Sequence, residues 1–586
     1  MAKSKRAAAK ADQVETELRK EPIEAGEIGG ALKRRSWGVI ASVAGALLLF
    51  LLVYVLRLDH VVGQVQDDAW YVLLAQALAT GQGYTLINSP SPGILPLYPP
   101  AFPWLLSVVY RLSPHFPQNF WLLKSVSMAA MLGVGVVAYY YLKGDRSFPH
   151  YLALSVAGLA VLNPALVFLA TSTVMSECVF TFTQLLTILV IERGVRVGNK
   201  SGAYPYWALG AALASFTFLT RSMALGLILA VVVYLLKERL VRGAVIFAVG
   251  VAILVGPWML YARLHAPTAE QRAEQGGHII LGYAAQFWQK SAGDITSGQA
   301  EASDLPERVW KNFVLILGHD AGMMMLPPAF RNSRFSGSEV LEGAENTSLL
   351  SYLLSALAII GFFTALRRKV SLAEVCFPLS LAIILLWPWK PFRLVLPFIV
   401  FILFYFLTGI QTIYHLYQRF QQTSNLRRQW IALGVVTGCL LTITLYDHTS
   451  YLLRKYQRAP AERPVWIRTF EENEAVLEWV DKKLPKENVI TADNPPLVYL
   501  YAKRKTVAFQ EPTANWENWN RLGVRYLVRT ALAPLPKPDM YSEGRYNLVY
   551  HSRGELNLRV LDFGPQSSRL PWGSTDPSKA MKIEFK

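Results

Sequence analysis

The chain is 586 residues long, 53% hydrophobic and only 17% charged, with a mean hydropathy of +0.27. Soluble domains carry about 25% charged residues because their surface faces water, so this composition excludes an ordinary soluble protein and points to an α-helical polytopic membrane protein. A net charge of +17 would suggest nucleic acid in a soluble chain, but here the basic residues flank apolar runs as the positive-inside rule requires, which argues against that partner.

Residues 1–36 form a polar tail ending in Lys33-Arg34-Arg35, read as cytoplasmic. Trp37 to Leu56 is long enough for a bilayer core of roughly 30 Å and reads as an uncleaved signal anchor. Its exit places residues 58–119 outside as a first loop rich in proline, with Pro90, Pro92, Pro96, Pro99, Pro100 and Pro103. Further spans are expected near 120–142, 151–170, 175–191, 206–220, 222–236, 243–262, 349–366, 371–388, 394–416 and 430–446, about eleven in all with the first. Basic clusters such as Lys143/Arg146, Lys237/Arg239/Arg242 and Arg367/Arg368/Lys369 then all fall on the cytoplasmic side. Residues 206–236 read as two short helices turning near Arg221, because one long helix would place one of its basic flanks outside. A second outer loop, 264–347, holds an amphipathic stretch from Leu305 to Leu317 suited to a membrane surface. The module thus runs over 37–446. From 447 to 586 the composition becomes that of a soluble extracytoplasmic domain. Glu471 to Leu484 is helical in spacing, while Asn488–Ala492, Thr506–Phe509, Val524–Arg529 and Leu556–Leu561 read as strands of a small α/β fold. Three cysteines, Cys178, Cys376 and Cys439, sit in apolar runs and suggest neither a disulfide framework nor a zinc site.

The densest group of functional residue types is in the first outer loop. It runs Gln66-Asp67-Asp68-Ala69-Trp70-Tyr71, then Gly81-Gln82-Gly83-Tyr84, then Tyr98-Pro99-Pro100-Ala101-Phe102-Pro103. Adjacent carboxylates near a membrane are costly unless hydrated, paired or bound to a cation. Trp70, Tyr71, Leu74, Ala77 and Leu78 can share one helical face, so the pair is expected to open an amphipathic helix on the membrane surface. The helix N-terminus favours their charge.

This order of residues resembles the first outer loop of the GT-C glycosyltransferases, membrane enzymes that take a sugar from a polyprenyl or dolichyl phosphate. Within that superfamily it is most similar to the protein O-mannosyltransferase group (glycosyltransferase family 39) and the lipid A aminoarabinose transferase. Ser176-Glu177, Leu219-Thr220-Arg221, Gly256-Pro257-Trp258 and Arg393-Leu394-Val395-Leu396-Pro397 follow in the family's order. The resemblance implies that Asp67 is the catalytic base. It gives Asp68 a supporting place, at the site itself or at a divalent metal cofactor, with Glu177 as the second acidic residue and the other candidate metal ligand. The lipid A-modifying branch has a lysine before the Pro-Pro pair that contacts the donor phosphate. Tyr98 stands there instead, so the phosphate ligand must be sought elsewhere.

The residues fit such a transfer on chemical grounds. A carboxylate must take the acceptor's proton, and positive charge must face the departing phosphate. A single base with no second nucleophilic carboxylate implies inversion, by analogy with glycosidases. Arg393, Arg221 and Lys390 are the outer-face cations, in that order of preference. Arg393 opens a helix, where an unpaired cation opposes the dipole unless an anion binds beside it. The plainer roles are a carboxylate-paired structural arginine for Arg221 and an interfacial anchor for Lys390. The expected partners are a polyprenyl-phosphate sugar, a protein, glycolipid or cell-wall acceptor, and the lipid bilayer of the plasma (inner) membrane. A transporter or flippase is the rival, but it should place ionisable groups at mid-membrane or show paired broken helices. Gly133-Val134-Gly135 in an apolar span reads as small-residue helix packing, and Met323-Met324-Met325 as loop surface touching lipid or acceptor.

Overall fold

The computed structural model describes residues 25–564 except 92, 96–97, 199, 269–270, 272–281, 292–293, 331–345, 422–425, 510–515, 532–546, 555 and 557. Pro92, Pro96, most of the polar tail and parts of the second loop therefore lie outside the described residues. The chain divides into two compact units, Met1–Leu49 and Phe50–Lys586. What is described of the first belongs to the helix that begins at Ala25.

Every span expected from the sequence is helical. Among the described residues, seven helices are long and apolar enough to cross a membrane: Trp37–Arg57, Phe120–Asp145, Glu177–Val197, Val241–Leu264, Leu349–Arg368, Phe392–Phe420 and Arg427–Lys455. His150–Val161 and Pro164–Thr171 are together apolar and long enough for one more, but bent by 51° at the break between them. The bend has a local cause: Pro164 cannot continue the preceding helix, and the Asn163 side chain accepts from the Ala165 N–H at 3.0 Å to cap the new one. The protein is thus a multi-pass membrane protein. Tyr204–Thr220, Ser222–Lys237 and Leu372–Leu386 are shorter apolar helices or fall short in length. The first two break at Arg221, whose backbone is extended (φ −150°, ψ 126°), where the charge pattern placed the turn. They do not run along each other. Tyr204–Thr220 packs between Glu177–Val197 and Val241–Leu264, and Leu225–Lys237 packs on Leu372–Leu386.

Small residues set the closest helix contacts. A Cβ on Gly361 would lie 1.7 Å from the Tyr405 carbonyl oxygen, and one on Gly409 1.9 Å from that of Leu357. The helices Leu349–Arg368 and Ile399–Phe420 therefore meet backbone to backbone, as small-residue packing in membranes allows. Gly133 serves the same end, since a Cβ there would meet the Phe182 ring at 2.5 Å.

Two expectations are corrected. Helix Gln66–Ala79 is not a surface helix: Asp68 through Ala75 are all buried. Helix Ala101–Leu112 covers it, and Pro495–Ala502 of the C-terminal region packs on it too. The two-faced helix of this loop is Ala101–Leu112, with Phe102, Leu106 and Tyr110 inside and Trp104, Val108 and Leu112 exposed. Met323, Met324 and Met325 are each 2% exposed, so they are core residues rather than loop surface.

The C-terminal region is the expected α/β fold. Its five-stranded sheet runs Thr506–Ala508, Val489–Ala492, Val524–Val528, Arg559–Asp562, Asn547–His551. The first three strands are parallel and the last two antiparallel. The helix Val465–Lys483 begins earlier than its apolar spacing suggested. This region is bonded to the segment 58–119 that carries Asp67. Asn494 Nδ2 donates to the Gly63 carbonyl at 2.9 Å, and Tyr501 Oη to Val62 at 3.1 Å. The Thr506 N–H donates to Asn88 at 2.8 Å.

Candidate active site

The residues singled out in four separate stretches meet at one point. Asp67 is the second residue of helix Gln66–Ala79. Its Oδ1 accepts from Tyr98 Oη at 2.8 Å, and its Oδ2 pairs with Arg393 Nη2 at 2.7 Å. Arg393 Nε pairs with Glu177 Oε1 at 2.8 Å. The same carboxylate oxygen pairs with Arg221 Nη1 at 2.8 Å, which also donates to Ser176 Oγ at 3.2 Å. Tyr71 Oη shares a hydrogen bond with that hydroxyl at 3.1 Å. Two carboxylates and two guanidinium groups thus alternate as Asp67, Arg393, Glu177, Arg221.

Each group is placed by its own element. Glu177 opens the helix Glu177–Val197, Arg221 is the extended residue between two helices, and Arg393 stands in the first turn after Pro391. Tyr98 is held from behind, because Tyr84 Oη donates to its carbonyl at 2.8 Å. The Gly81-Gln82-Gly83 turn that delivers Tyr84 needs φ of 74° and 81° at its glycines, values that side chains with a Cβ resist. Tyr84 also meets the Trp258 ring edge-on at 5.4 Å between centroids, which brings the Gly256-Pro257-Trp258 segment to the site.

The electrostatics separate the two aspartates. Burial pushes the Asp67 carboxyl upward, but the Arg393 charge and the hydrogen bonds from Tyr98 and Arg393 outweigh it, so it is held below the ordinary value. Its side chain remains 26% exposed. Asp68 is fully buried, and its Oδ2 accepts the Gly63 N–H at 2.9 Å. Burial raises it to about 8 against the pull of that N–H and of Lys124, with Asp67 adding to the rise.

Asp68 is outside the ion-paired chain, where its Oδ2 holds the Gly63 N–H. Asp68 and Glu177 have no common partner: one faces Gly63 and the other two arginines. Among the described residues no group of three or more His, Cys, Asp or Glu is placed to hold a metal ion. Arg393 is not an unpaired cation at a helix start, because two carboxylates offset its clash with the dipole. Lys390 is exposed.

The sequence reading passed over a second buried group. Lys124 Nζ donates to Asp59 Oδ1 at 3.0 Å, to the Asp59 carbonyl at 2.7 Å and to the Thr171 carbonyl at 2.9 Å. Ser172 Oγ donates to Asp59 Oδ2 at 2.6 Å. This pins the start of the loop that carries Asp67. A lysine inside an apolar run was the available signal, since such residues are rarely idle.

No family model and no curated protein sequence matches the chain. Solved structures do. The crystal structure of ArnT from Cupriavidus metallidurans bound to undecaprenyl phosphate matches with a TM-score of 0.54 at 13% identity, covering 89% of this chain and 98% of that one. Its apo state matches with a TM-score of 0.54 at 14% identity, over 91% and 100%. The archaeal oligosaccharyltransferase AglB from Archaeoglobus fulgidus, in complex with an inhibitory peptide and a dolichol-phosphate, matches with a TM-score of 0.49 at 11% identity, over 83% and 69%. The match to ArnT shows that the chain shares that protein's fold.

Proposed function

We propose that the protein is an inverting glycosyltransferase that moves a sugar from a polyprenyl-phosphate carrier to an acceptor at the outer face of the plasma (inner) membrane. The observation that carries this reading is the pairing of Asp67 with Arg393, a base and a phosphate-binding group joined on one ion pair. The acceptor hydroxyl oxygen attacks C1 of the sugar, and the C1–O bond breaks with its electron pair going to the phosphate. The acceptor's proton goes to Asp67, which Arg393 and Tyr98 keep ionised and ready to receive it. Arg393 faces the charge that grows on the phosphate, with Arg221 behind it. Glu177 is engaged by both arginines, so it is not a free nucleophile, and a single displacement with inversion follows by analogy. A carrier of the undecaprenyl-phosphate kind, as bound by ArnT, is the donor class we assign. Residues 37–446 form the catalytic module and 447–586 an extracytoplasmic region packed on its first loop.

Mass spectrometry of envelope glycans and lipids from a deletion strain tests the reading. A missing sugar should return with the wild-type gene and not with Asp67→Asn, since loss of a general base costs on the order of 10² to 10⁴ in rate. Full restoration by that variant would remove Asp67 as the base.

A further inference from the structure

We propose that Arg393 is a counter-ion shared between Asp67 and the carrier phosphate, passed from one to the other during transfer. The inference rests on the function proposed above and concerns how its two halves are coupled. Arg393 holds Asp67 through Nη2 at 2.7 Å and Glu177 through Nε at 2.8 Å, while Nη1 takes part in neither contact. Glu177 keeps a second cation in Arg221; among the described residues the ion pair of Asp67 is with Arg393, beside the neutral Tyr98 hydroxyl.

The charges move in step. Before transfer the donor is a phosphodiester with one negative charge, and Asp67 carries another. The acceptor O–H gives its oxygen to C1 and its proton to Asp67, and the C1–O pair leaves with the phosphate. Asp67 ends neutral, and the carrier ends as a phosphomonoester with two charges. One unit of negative charge has left the carboxylate and one has arrived on the phosphate, with Arg393 beside both. The guanidinium need not move: its fork turns from a carboxylate to phosphate oxygens, an anion it grips equally well. The ionised carboxylate and the product phosphate therefore compete for one arginine, and return of Asp67 to its charged form, by loss of that proton to water at its exposed edge, helps to expel the carrier.

The test is equilibrium binding of a short-chain polyprenyl phosphate, without sugar, to the purified full-length protein. Asp67→Asn should bind it about tenfold tighter than wild type, within the usual range of coupling between two sites. Asp67→Glu keeps the charge and should show no such gain, and Asp67→Ala stands in where the amide does not fold. The gain should vanish when Arg393 is already alanine. If Asp67→Asn and Asp67→Ala bound no tighter, or if the gain persisted in Arg393→Ala as plain charge repulsion would give, the shared counter-ion would be wrong. Those outcomes leave the proposed function standing provided Arg393→Ala alone loses affinity. If Arg393→Ala bound like wild type, the phosphate assignment itself would fall.

Discussion

Replacing Lys124 by methionine should destabilise the protein more than any comparable change at its apolar neighbours. The ammonium is fully buried and uses all three of its hydrogens, on Asp59 Oδ1 and on the carbonyls of Asp59 and Thr171. Methionine keeps the length and removes the charge. Asp59 would remain buried with only the Ser172 hydroxyl and the Val61 N–H as donors, and two carbonyls would lose a partner. Removing one member of a buried pair costs about 3–5 kcal/mol, and the two surviving donors place the expected loss near the lower end. Against a total stability of about 5–15 kcal/mol that is a large share. Asp59→Asn in the same chain removes the orphaned charge, so the double variant should be more stable than Lys124→Met alone. Coupling between contacting groups is typically about 0.5–3 kcal/mol. The measurement is the thermal unfolding midpoint of the four proteins in one detergent. An unchanged midpoint in Lys124→Met, or a double variant no better than the single, would refute the idea that this pair pins the loop before Asp67.

Arg393→Lys should lower transfer by about 10²-fold, as misplacement of a site group does. One ammonium cannot span Asp67 and Glu177 as the fork does, and wild-type rates in that variant would mean that charge alone suffices. Gly361→Ala should lower the unfolding midpoint through overpacking of about 1–3 kcal/mol, whereas Gly438→Ala, where a Cβ meets nothing within 4 Å, should not. Asp68→Asn should retain transfer and change how stability depends on pH. With a folded value of about 8 against an ordinary 3.8, the native state holds a proton that the unfolded chain has lost. Wild-type stability should therefore fall as pH rises between those values, and chemical denaturation across that window should show the fall lessened in Asp68→Asn.

The membrane module was legible because apolar length and flanking charge are local properties of the chain, and so was the turn at Arg221. The C-terminal strands were legible for the same reason, except Asn547–His551, which the sequence reading left unassigned. The group at the site was legible as a set of residues, since Asp67, Glu177, Arg221 and Arg393 each interrupt apolar surroundings. What stayed hidden was which charge meets which. Asp67 and Asp68 are the same residue type side by side, and only the resemblance tells them apart in the sequence, but successive helix residues point about 100° apart. One therefore reaches Arg393 and the other turns inward to Gly63. The burial of their helix depends on residues far along the chain: Leu497 lies where a Cβ on Gly63 would be only 2.8 Å away, and Asn494 holds the Gly63 carbonyl. No local pattern announces such a contact. The second cover of the helix carrying Asp67, Pro495–Ala502, comes from the C-terminal region, more than 400 residues along the chain. Asn494 and Tyr501 of that region hold the Gly63 and Val62 carbonyls in the segment leading to Asp67, so a change at Asn494 should reach Asp67 through Gly63 and Asp68 rather than through the membrane helices.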